Sequence, residues 1–567
     1  MKADLKNFLR KNVFFHKIFF KIKLIILKVQ YFFFKNKNLK FKILILESRY
    51  NDAYQFFKLN ILKYNTFSFQ EFCNYLSLRL RLKIFKDNDE INKIIFNYNK
   101  WSPLFYIFLN QNSENKTLNK WLSKVFIDNN NLIPILSNPG KFAKNEKYFL
   151  KKVLKCNDNL TEIRVYLKDI ISQMYFNDMQ FNELYYFAVL ESIISDHLLN
   201  KNLKYTKRLA VINLDPWTQS IGHFYFLDSF IKGVLLGILD YDYIIFSKKP
   251  TSVISNQYLF KLYKNYINKN FSPPKKVNHI LSETNMEAWR HKNKKFVMAH
   301  EISKNIQNIW YKKNKDPIVK ISKEDLLIGD KLIENILRKK KWFCTLNVRE
   351  PGFRLNDHLW LDTGRNADVK NYSKAIKYIY KKGGYTIRLG QKKIKSLKFS
   401  GFFDYGSSTL KSDFLDIFLI YRGKFNIGTS SGLSFLPIIF GKYRNIFTNL
   451  SILCFHEIPG SIGIPKLIYS IKKKKIEKLK VYEKFDPPFL FYGNESFNNV
   501  GLKLIENNSE DIYLLVREFL YNFNKKDRNK IKKTRKTFPI RSNQNMYANN
   551  FISLPKFFIK KYEKLLK

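Results

Sequence analysis

Cysteine is scarce in this sequence, and its cysteines are far apart. Cys73, Cys156, Cys344 and Cys454 are the only four in 567 residues, and no two form a C-x-x-C pair. Disulfide frameworks and zinc sites need paired cysteines, so we expect buried thiols in a reducing compartment and no metal bound by cysteine. Long apolar runs are missing too. No stretch of about 18 apolar residues occurs, so the sequence predicts no transmembrane helix.

Acidic residues are also few. Asp and Glu number 47 against 101 Lys and Arg, which gives a formal net charge of +54. The positive charge is spread over the whole length, without the signature of a known nucleic-acid-binding module, so we expect no nucleic-acid partner. Hydrophobic residues make up 45% of the chain and aromatic residues 17%. This composition predicts a globular chain, long enough for roughly two to four domains.

Lysines interrupt the apolar clusters near the N-terminus. In residues 13–35 they stand at positions 17, 21, 23 and 28, so no uninterrupted signal-peptide core is present. The segment fits a basic amphipathic helix on an anionic membrane surface, or a helix that packs on its own domain and extends its lysines to solvent. We therefore expect a cytoplasmic protein, with contact to the inner membrane face as one alternative.

Glycine is rare in the first part of the chain. Residues 68–85 and 182–199 carry apolar residues at three- and four-residue spacing, which predicts helices. Residues 1–205 are interpreted as a mainly helical accessory region without recognisable chemistry.

A βα pattern begins at residue 206. Residues 209–214 predict a buried parallel strand, residues 224–236 a helix and residues 243–246 a second strand. Residues 295–298 predict another short strand. The intervening loop carries Gln219, Gly222 and His223, and a ligand of such a sheet lies beyond the strand's carboxyl end. His223 either faces this cleft or hydrogen-bonds to a loop carbonyl. The Asp240-x-Asp242 pair fits a turn, or a metal that holds a nucleotide. Residues 206–330 are predicted to form one Rossmann-like domain.

A second βα series follows in residues 331–525. Strands are predicted at 342–348, 385–389, 425–427 and 445–448, with helices at 372–381 and 410–421 between them. This alternation predicts a parallel sheet of the doubly wound kind. Residues 526–567 are predicted to be a basic C-terminal tail.

The sequence G-T-S-S-G at residues 428–432 follows one of these strands and precedes a short apolar helix. Backbone N–H groups and hydroxyls at a helix start bind phosphate, and Gly428 and Gly432 would let a ligand approach the backbone. The alternative is an ordinary βα turn with a serine cap. Arg349 follows the strand at 342–348 and lies at the same sheet edge. It can bind phosphate bidentately, or pair with Glu350 or Asp368.

The motifs N-V-R-E-P-G-F at 347–353, R-N-A-D at 365–368 and F-N-I-G-T-S-S-G-L-S-F-L-P at 425–437 resemble bacterial glycosyltransferases of the GT-B fold. The G-T-S-S-G-L-S segment is similar to the sugar-nucleotide loop of heptosyltransferases. An arginine after a strand with a later Ser-Ser loop is similar to O-fucosyltransferase-like enzymes. Asn347 departs from the latter, which usually carry histidine there.

The resemblance implies two Rossmann-like domains facing a cleft and a metal-independent transfer of sugar from a nucleotide-sugar donor to a glycan or lipid-linked acceptor. Residues 206–330 would bind the acceptor, with Gln219 and Gly222 in the acceptor-side loop, and residues 331–525 would bind the nucleotide-sugar donor. Arg349, Ser430 and Ser431 would contact the diphosphate, together with Thr429 and Gly432. The further candidates are His223 or Asp228 as the base, Arg365 and Asp368 at the donor site, and Asp368 as a second choice for a catalytic carboxylate. Two alternatives stay open: a sugar-nucleotide epimerase of the same fold, and a non-catalytic scaffold or membrane-surface protein.

Overall fold

The structure is a computed structural model. It describes residues 40–41, 43–44, 47, 49–60, 75, 161, 164, 167–168, 171, 181–199, 207–247, 254–274, 279–293, 295–337, 342–350, 364–390, 399–450, 461–478, 497, 501–523 and 553–566. The chain divides into two compact units, Met1–Leu198 and Leu199–Lys567. The predicted N-terminal amphipathic segment lies outside the described residues, as does most of the predicted helix at 68–85.

The first unit is helical where it is described. Helix α1 spans Tyr50–Asn60 and helix α2 spans Phe181–Leu199, so the helix predicted at 182–199 is confirmed. Phe57 and Tyr54 of α1 stack on Tyr75, with ring centroids 4.6 and 5.4 Å apart. Among the described residues, no helix is both long and apolar enough to cross a membrane.

The second unit begins with a three-stranded parallel sheet in the order β2-β1-β3. Its strands are β1 (Lys207–Ile212), β2 (Tyr243–Phe246) and β3 (His279–Thr284). Three α-helices are interleaved with the strands: α3 (Leu214–Trp217), α4 (Phe224–Leu235) and α5 (Gln257–Asn270). A 3-10 helix, Ile221–His223, leads into α4. The sheet forms because Leu209, Ala210 and Ile212 are almost fully buried in β1.

An antiparallel hairpin and two helices complete this half. The hairpin pairs β4 (Ala288–Arg290) with β5 (Phe296–Met298), and helices α6 (Ala299–Lys312) and α7 (Lys323–Leu337) follow. The sequence predicts a strand at 295–298, which is present, but as part of this hairpin rather than of the parallel sheet. Strand β3 was not predicted.

The C-terminal half is built on six parallel strands. They are β6 (Trp342–Asn347), β7 (Gly384–Arg388), β8 (Phe402–Phe403), β9 (Asn426–Gly428), β10 (Ile446–Leu450) and β11 (Ile462–Pro465). The helices are α8 (Ser373–Lys381), α9 (Asp413–Arg422), α10 (Leu436–Ile439) and α11 (Ser509–Phe523), with 3-10 helices at Val369–Tyr372, Tyr405–Ser407 and Gly432–Phe435. The predicted α/β class with a parallel sheet is confirmed.

The strand order of this sheet is β11-β10-β9-β6-β7-β8. From β6 the chain moves outward through β7 and β8, then crosses back to β9 and continues in the opposite direction through β10 and β11. Counted from β6, this is the Rossmann order 3-2-1-4-5-6. The direction of winding reverses between β6 and β9. Ligands of open parallel sheets bind beyond the carboxyl ends of the strands at such a reversal.

The end of the chain packs on this half. A small antiparallel sheet, β12 (Leu467–Ser470), β13 (Lys475–Ile476) and β14 (Leu502–Ile505), precedes α11. Helices α12 (Lys556–Lys561) and α13 (Glu563–Leu566) follow. Phe558 is buried, and Tyr562 donates to Asp511 over 2.7 Å. Within the predicted basic tail, residues 553–566 pack on this half because their aromatic side chains join the core.

The two halves of this unit contact each other through α5 and α9. The carboxylate of Asp413 accepts the Gln257 backbone N–H over 2.7 Å, and the Asn256 amide donates to the Asp413 carbonyl over 2.9 Å. Asp413 begins α9, so it joins the first turns of two helices. Near the carboxyl ends of the strands, the ring of Tyr225 packs on that of Phe435, with centroids 5.8 Å apart.

Candidate functional site

The carboxyl ends of β6 and β9 lie side by side. Asn347 pairs with Gly428 in register, so the residues that follow each strand emerge next to each other. Arg349, 7% exposed, donates its backbone N–H to Thr429 Oγ1 over 3.0 Å. Thr429 in turn donates its backbone N–H to the Asn347 carbonyl over 3.0 Å. The structure thus brings together the arginine and the Gly/Ser loop that the sequence placed at one edge.

Side chains of β6 and of the loop tie the loop down. Asn347 Nδ2 donates to Ser431 Oγ over 2.9 Å and to Ser434 Oγ over 3.3 Å. Ser434 Oγ donates to the Thr429 carbonyl over 2.7 Å. Ser430 is 1% exposed, and its Oγ has no hydrogen-bond partner among the residues that the structure describes. A buried hydroxyl without a partner is costly, so Ser430 is a candidate contact for a bound polar group.

The predicted helix after this loop is shorter than a helix-dipole argument needs. A four-residue 3-10 helix, Gly432–Phe435, precedes the four-residue α10, and Ser431 makes no side-chain cap bond. The serine side chain is used instead to accept from Asn347. The positive end of a helix therefore contributes little here, and any anion binding depends on Arg349 and the hydroxyls.

The two glycines of the loop are required by protein packing rather than by ligand access. A Cβ on Gly428 would overlap the side chain of Ser434. A Cβ on Gly432 would lie 2.6 Å from Gly222 Cα, and a Cβ on Gly222 would lie 2.6 Å from Gly432 Cα. Loops from the two halves thus touch at a pair of glycines. This contact corrects the expectation that Gly428 and Gly432 leave room for a ligand.

The contact brings His223 beside the C-terminal loop. His223 follows Gly222 and ends the 3-10 helix, while Ser431 precedes Gly432. The loop that carries His223 is held at its start: Trp217 is fully buried and donates its Nε1–H to the Thr284 carbonyl, at the end of β3, over 3.2 Å. Gln219 is partly buried in the same loop. The predicted acceptor-side and donor-side loops are therefore neighbours.

The imidazole of His223 has a defined tautomer. Its Nδ1 lies 2.6 Å from the Pro216 carbonyl oxygen. A carbonyl only accepts, so Nδ1 carries the hydrogen, and in the neutral ring Nε2 is the basic nitrogen. The hydrogen bond to a loop carbonyl and a role in the cleft were alternatives in the sequence. The two are compatible, because an Nδ1–H bond to a carbonyl orients Nε2.

Asp228 does not lie in the cleft. It is fully buried in α4, forms an ion pair with Lys232 at 2.7 Å and accepts from Tyr263 at 2.9 Å and from Gln307 at 2.7 Å. Burial lowers the pKa of Lys232, and the Asp228 charge opposes that shift. Both carboxylate oxygens of Asp228 are occupied in a buried network. The geometry corrects its assignment as a base, since no hydroxyl acceptor can reach it there.

Asp368 and Arg365 lie on the segment that leads into α8. Asp368 is exposed and accepts the Lys370 backbone N–H over 2.9 Å, which makes it the cap of the 3-10 helix Val369–Tyr372. This capping role does not suit a catalytic carboxylate, because the exposed group already accepts a backbone N–H. Arg365 is partly buried, and the Ala367 backbone N–H donates to the Arg349 carbonyl over 2.8 Å. The segment therefore borders Arg349.

Several polar groups at this sheet edge were not predicted from the sequence. Arg388, 1% exposed, ends β7 and forms ion pairs with Glu350 and with Asp404, the latter at 3.1 Å. Near the end of β10, Asn449 has a positive φ of 49° and exchanges two hydrogen bonds with Asn507, of 2.6 and 2.8 Å. The available signal was the position of these residues: Arg388 ends the buried strand β7, Asp404 directly follows β8, and Asn449 lies one residue before the end of β10.

The aspartates of the Asp-x-Asp pair belong to a turn. Asp240 lies 3.4 Å from Arg290 and 3.8 Å from Arg208, and Asp242 lies 3.2 Å from Lys207. Within the part of the chain that the structure describes, no group of three or more His, Cys, Asp or Glu side chains could hold a metal ion. Cys344 is buried, as expected of a thiol, and burial raises its pKa to about 12. The other three cysteines lie outside the described residues.

Comparison with known proteins leaves the site to be judged by its own geometry. No protein-family model matches the chain, and neither a curated protein nor a solved structure matches it. The similarity to GT-B glycosyltransferases is therefore a resemblance of motifs.

Proposed function

We propose that this chain is a glycosyltransferase of GT-B type. In this proposal the C-terminal half binds the diphosphate of a nucleotide-activated sugar at the carboxyl ends of β6 and β9, and the sugar moves to a hydroxyl group of a glycan or lipid-linked acceptor. One observation carries the proposal. A buried arginine, a loop with three hydroxyls and a histidine from the other half converge where the strand order reverses.

Arg349 supplies the charge for the leaving group. A guanidinium stays protonated when it is buried, and it binds two phosphate oxygens at once. Negative charge grows on the diphosphate as the bond to the sugar breaks, so a fixed cation stabilises the transition state more than the ground state. Truncating one partner of a buried charge pair costs about 2–5 kcal/mol, which corresponds to a rate loss of about 30-fold or more.

His223 is the proposed base. With the hydrogen on Nδ1 bound to the Pro216 carbonyl, Nε2 is the basic nitrogen, and it would accept the proton of the acceptor hydroxyl, whose oxygen then bonds to the anomeric carbon. The bonding electrons of the sugar leave with the diphosphate. The glycine contact sets His223 next to the donor loop, which supports a reaction that needs the reacting atoms of both substrates in contact.

The arrangement of two sheets supports the GT-B proposal. The N-terminal sheet has the order β2-β1-β3 and the C-terminal sheet the Rossmann order, and the loops beyond β1 and β9 touch. Each sheet thus directs its ligand-binding edge toward the other half. A role in surface polysaccharide assembly at the inner membrane face extends the proposal to the cellular setting, and no metal is required by the groups invoked.

Nucleotide binding tests the donor site. Thermal unfolding of the wild type, Arg349→Ala and Arg422→Ala is measured with UDP, GDP, CMP and ADP. Arg422 is a matched control because it forms a partly exposed surface pair with Asp330 at the end of α9. A ligand at 100 times its Kd stabilises a protein by about 2.7 kcal/mol, or several degrees in Tm. We expect one nucleotide to stabilise the wild type and Arg422→Ala but not Arg349→Ala.

Product analysis then tests the reaction. With the matching sugar nucleotide and a hydroxyl acceptor, a transferase releases nucleotide in proportion to the glycosylated product. An isomerised sugar nucleotide formed without acceptor would instead show the epimerase. If no nucleotide stabilises the folded wild type, the donor site does not exist and the scaffold alternative stands.

A further inference from the structure

We infer that Asn347 is a positioning residue that turns the hydroxyl of Ser431 into a hydrogen-bond donor toward the ligand, so that the loop selects phosphoryl oxygens. The inference rests on the proposed function and concerns the same site. It starts from the direction of each hydrogen bond in the loop, which the chemistry of the partners fixes.

The orientation of the Asn347 amide follows from Ser434. The Thr429 carbonyl can only accept, so Ser434 Oγ must use its single hydrogen in their 2.7 Å contact. Toward Asn347, 3.3 Å away, Ser434 Oγ can therefore only accept. The atom of Asn347 that faces Ser434 is then the NH2 group and not the amide oxygen.

This orientation determines the role of Ser431. The same NH2 group lies 2.9 Å from Ser431 Oγ and donates its second hydrogen to it. Ser431 Oγ accepts this hydrogen, so its own hydrogen points away from Asn347. Ser431 is 7% exposed, and its hydroxyl hydrogen has no acceptor among the described residues.

The hydroxyl of Thr429 is also an acceptor within the protein. The backbone N–H of Arg349 can only donate, so Thr429 Oγ1 accepts it over 3.0 Å, and the Thr429 hydroxyl hydrogen is also directed elsewhere. Ser430, between Thr429 and Ser431, has a buried Oγ without a partner among the described residues. Two hydroxyls are thus preset as donors beside an arginine, which can only donate.

A site that offers only hydrogen-bond donors suits one class of ligand. A sugar hydroxyl or a base edge both donates and accepts, whereas a phosphoryl oxygen only accepts and carries negative charge. The loop is therefore complementary to a diphosphate. The arrangement also explains why an asparagine suits position 347. An aspartate of the same size would accept from Ser431 and turn its hydrogen away from the ligand.

The test replaces Asn347 by aspartate, which reverses the direction of its hydrogen bond with Ser431 and keeps the size of the side chain. Kd is measured by titration calorimetry with UDP, GDP, ADP and inorganic pyrophosphate for wild type, Asn347→Asp, Ser431→Ala and the double variant. We expect Asn347→Asp to weaken diphosphate binding by about 10- to 100-fold, the range for a hydrogen bond to a charged group. In the Ser431→Ala background the same substitution should have a clearly smaller effect, because Asn347 acts through Ser431.

The pH gives a second readout. A protonated aspartic acid can donate again, so the affinity of Asn347→Asp, relative to the wild type at each pH, should rise as the pH falls from 8 toward 5. The control is Asn445→Asp, at the amino end of β10. Asn445 is also fully buried and donates through Nδ2 to the Lys442 carbonyl over 2.8 Å, but it lies at the opposite edge of the sheet. We expect its diphosphate affinity to equal that of the wild type.

The outcomes separate this inference from the proposed function. Suppose that the wild type binds a diphosphate. If Asn347→Asp then binds it equally well, Asn347 does not position the loop. The same conclusion follows if Asn347→Asp loses as much affinity in the Ser431→Ala background as it does with Ser431 present. If Asn347→Asp does not fold, Ser431→Ala decides, and unchanged affinity in that variant overturns the inference. If the wild type binds neither a nucleoside diphosphate nor pyrophosphate, the proposed function itself fails.

Discussion

Replacing Gly222 by alanine should separate binding from catalysis. The new Cβ would lie 2.6 Å from Gly432 Cα. Nonbonded carbon atoms are at their optimum about 3.5–4.0 Å apart, so the two loops must separate by about 1 Å. The obstacle is backbone on both sides, and no side chain can rotate away to relieve it.

The expected effect follows from what lies on each side of the contact. Arg349 and residues 429–432 all belong to the C-terminal half, so nucleotide Kd should stay within about 3-fold of the wild type. His223 moves with Gly222, and a displacement of about 1 Å can cost about 100-fold in rate. We therefore expect kcat to fall by about two orders of magnitude, and stability by about 1–3 kcal/mol from overpacking.

Nucleotide release under saturating donor measures kcat, calorimetry measures Kd and thermal unfolding measures stability. Gly383→Ala is the control. Gly383 has a φ of +80° at the end of α8, and a Cβ added there would meet no atom within 4 Å, so alanine lowers stability by strain without touching either loop. Gly222→Ala with kcat within about 3-fold of the wild type would refute the argument that the glycine contact sets the position of His223.

Three further predictions concern buried charges. Asp228→Asn should lower the free energy of unfolding by about 3–5 kcal/mol in urea, because Lys232 loses its buried partner. The kcat of the proposed transfer should stay within a few-fold of the wild type, and a loss of kcat with unchanged stability would restore Asp228 as the base. Arg388→Met should lower the free energy of unfolding by a similar amount, because Glu350 and Asp404 lose their shared cation. Urea denaturation measures the loss, and a free energy of unfolding within about 0.5 kcal/mol of the wild type would contradict this account. Burial lowers the pKa of Lys442 to about 8, so between about pH 8 and 10.5 the unfolded chain binds more protons and the stability of the wild type rises relative to Lys442→Met. A difference in Tm between these two proteins that does not change over this range would contradict the burial of the ammonium group.

Strand positions were predictable wherever a strand is buried on both faces. Strands β1, β6 and β10 are mostly apolar, and the predicted limits differ from the observed ones by only a few residues. Strand β3 has the sequence H-I-L-S-E-T, which mixes polar and apolar residues without a clear period. Only its pairing with β1 defines it as a strand, and such a pairing is not visible in the sequence.

The residue types of the candidate site were predictable, but their partners were not. A strand end followed by arginine, and another followed by hydroxyl residues, indicated the edge at which Arg349 and Ser430 lie. The contact between Gly222 and Gly432 joins residues from different sheets, and a loop glycine has the same sequence pattern whether it leaves space for a ligand or for another backbone. Asp228 was misassigned because an aspartate four residues before a lysine on a helix has the same sequence pattern whether the pair is exposed or buried.

The adjacency of the two loops bears on the choice among functions. An epimerase needs one nucleotide site, and a scaffold needs none, whereas a transferase must hold two substrates with their reacting atoms in contact. An open parallel sheet binds its ligand beyond the carboxyl ends of its strands, where the winding reverses. In this chain the loop after β1 and the loop after β9 touch at Gly222 and Gly432, so ligands bound at the two edges would be neighbours. Because neither of the other functions requires that proximity, an acceptor whose affinity depends on residues of the 214–223 loop would distinguish the transferase from both.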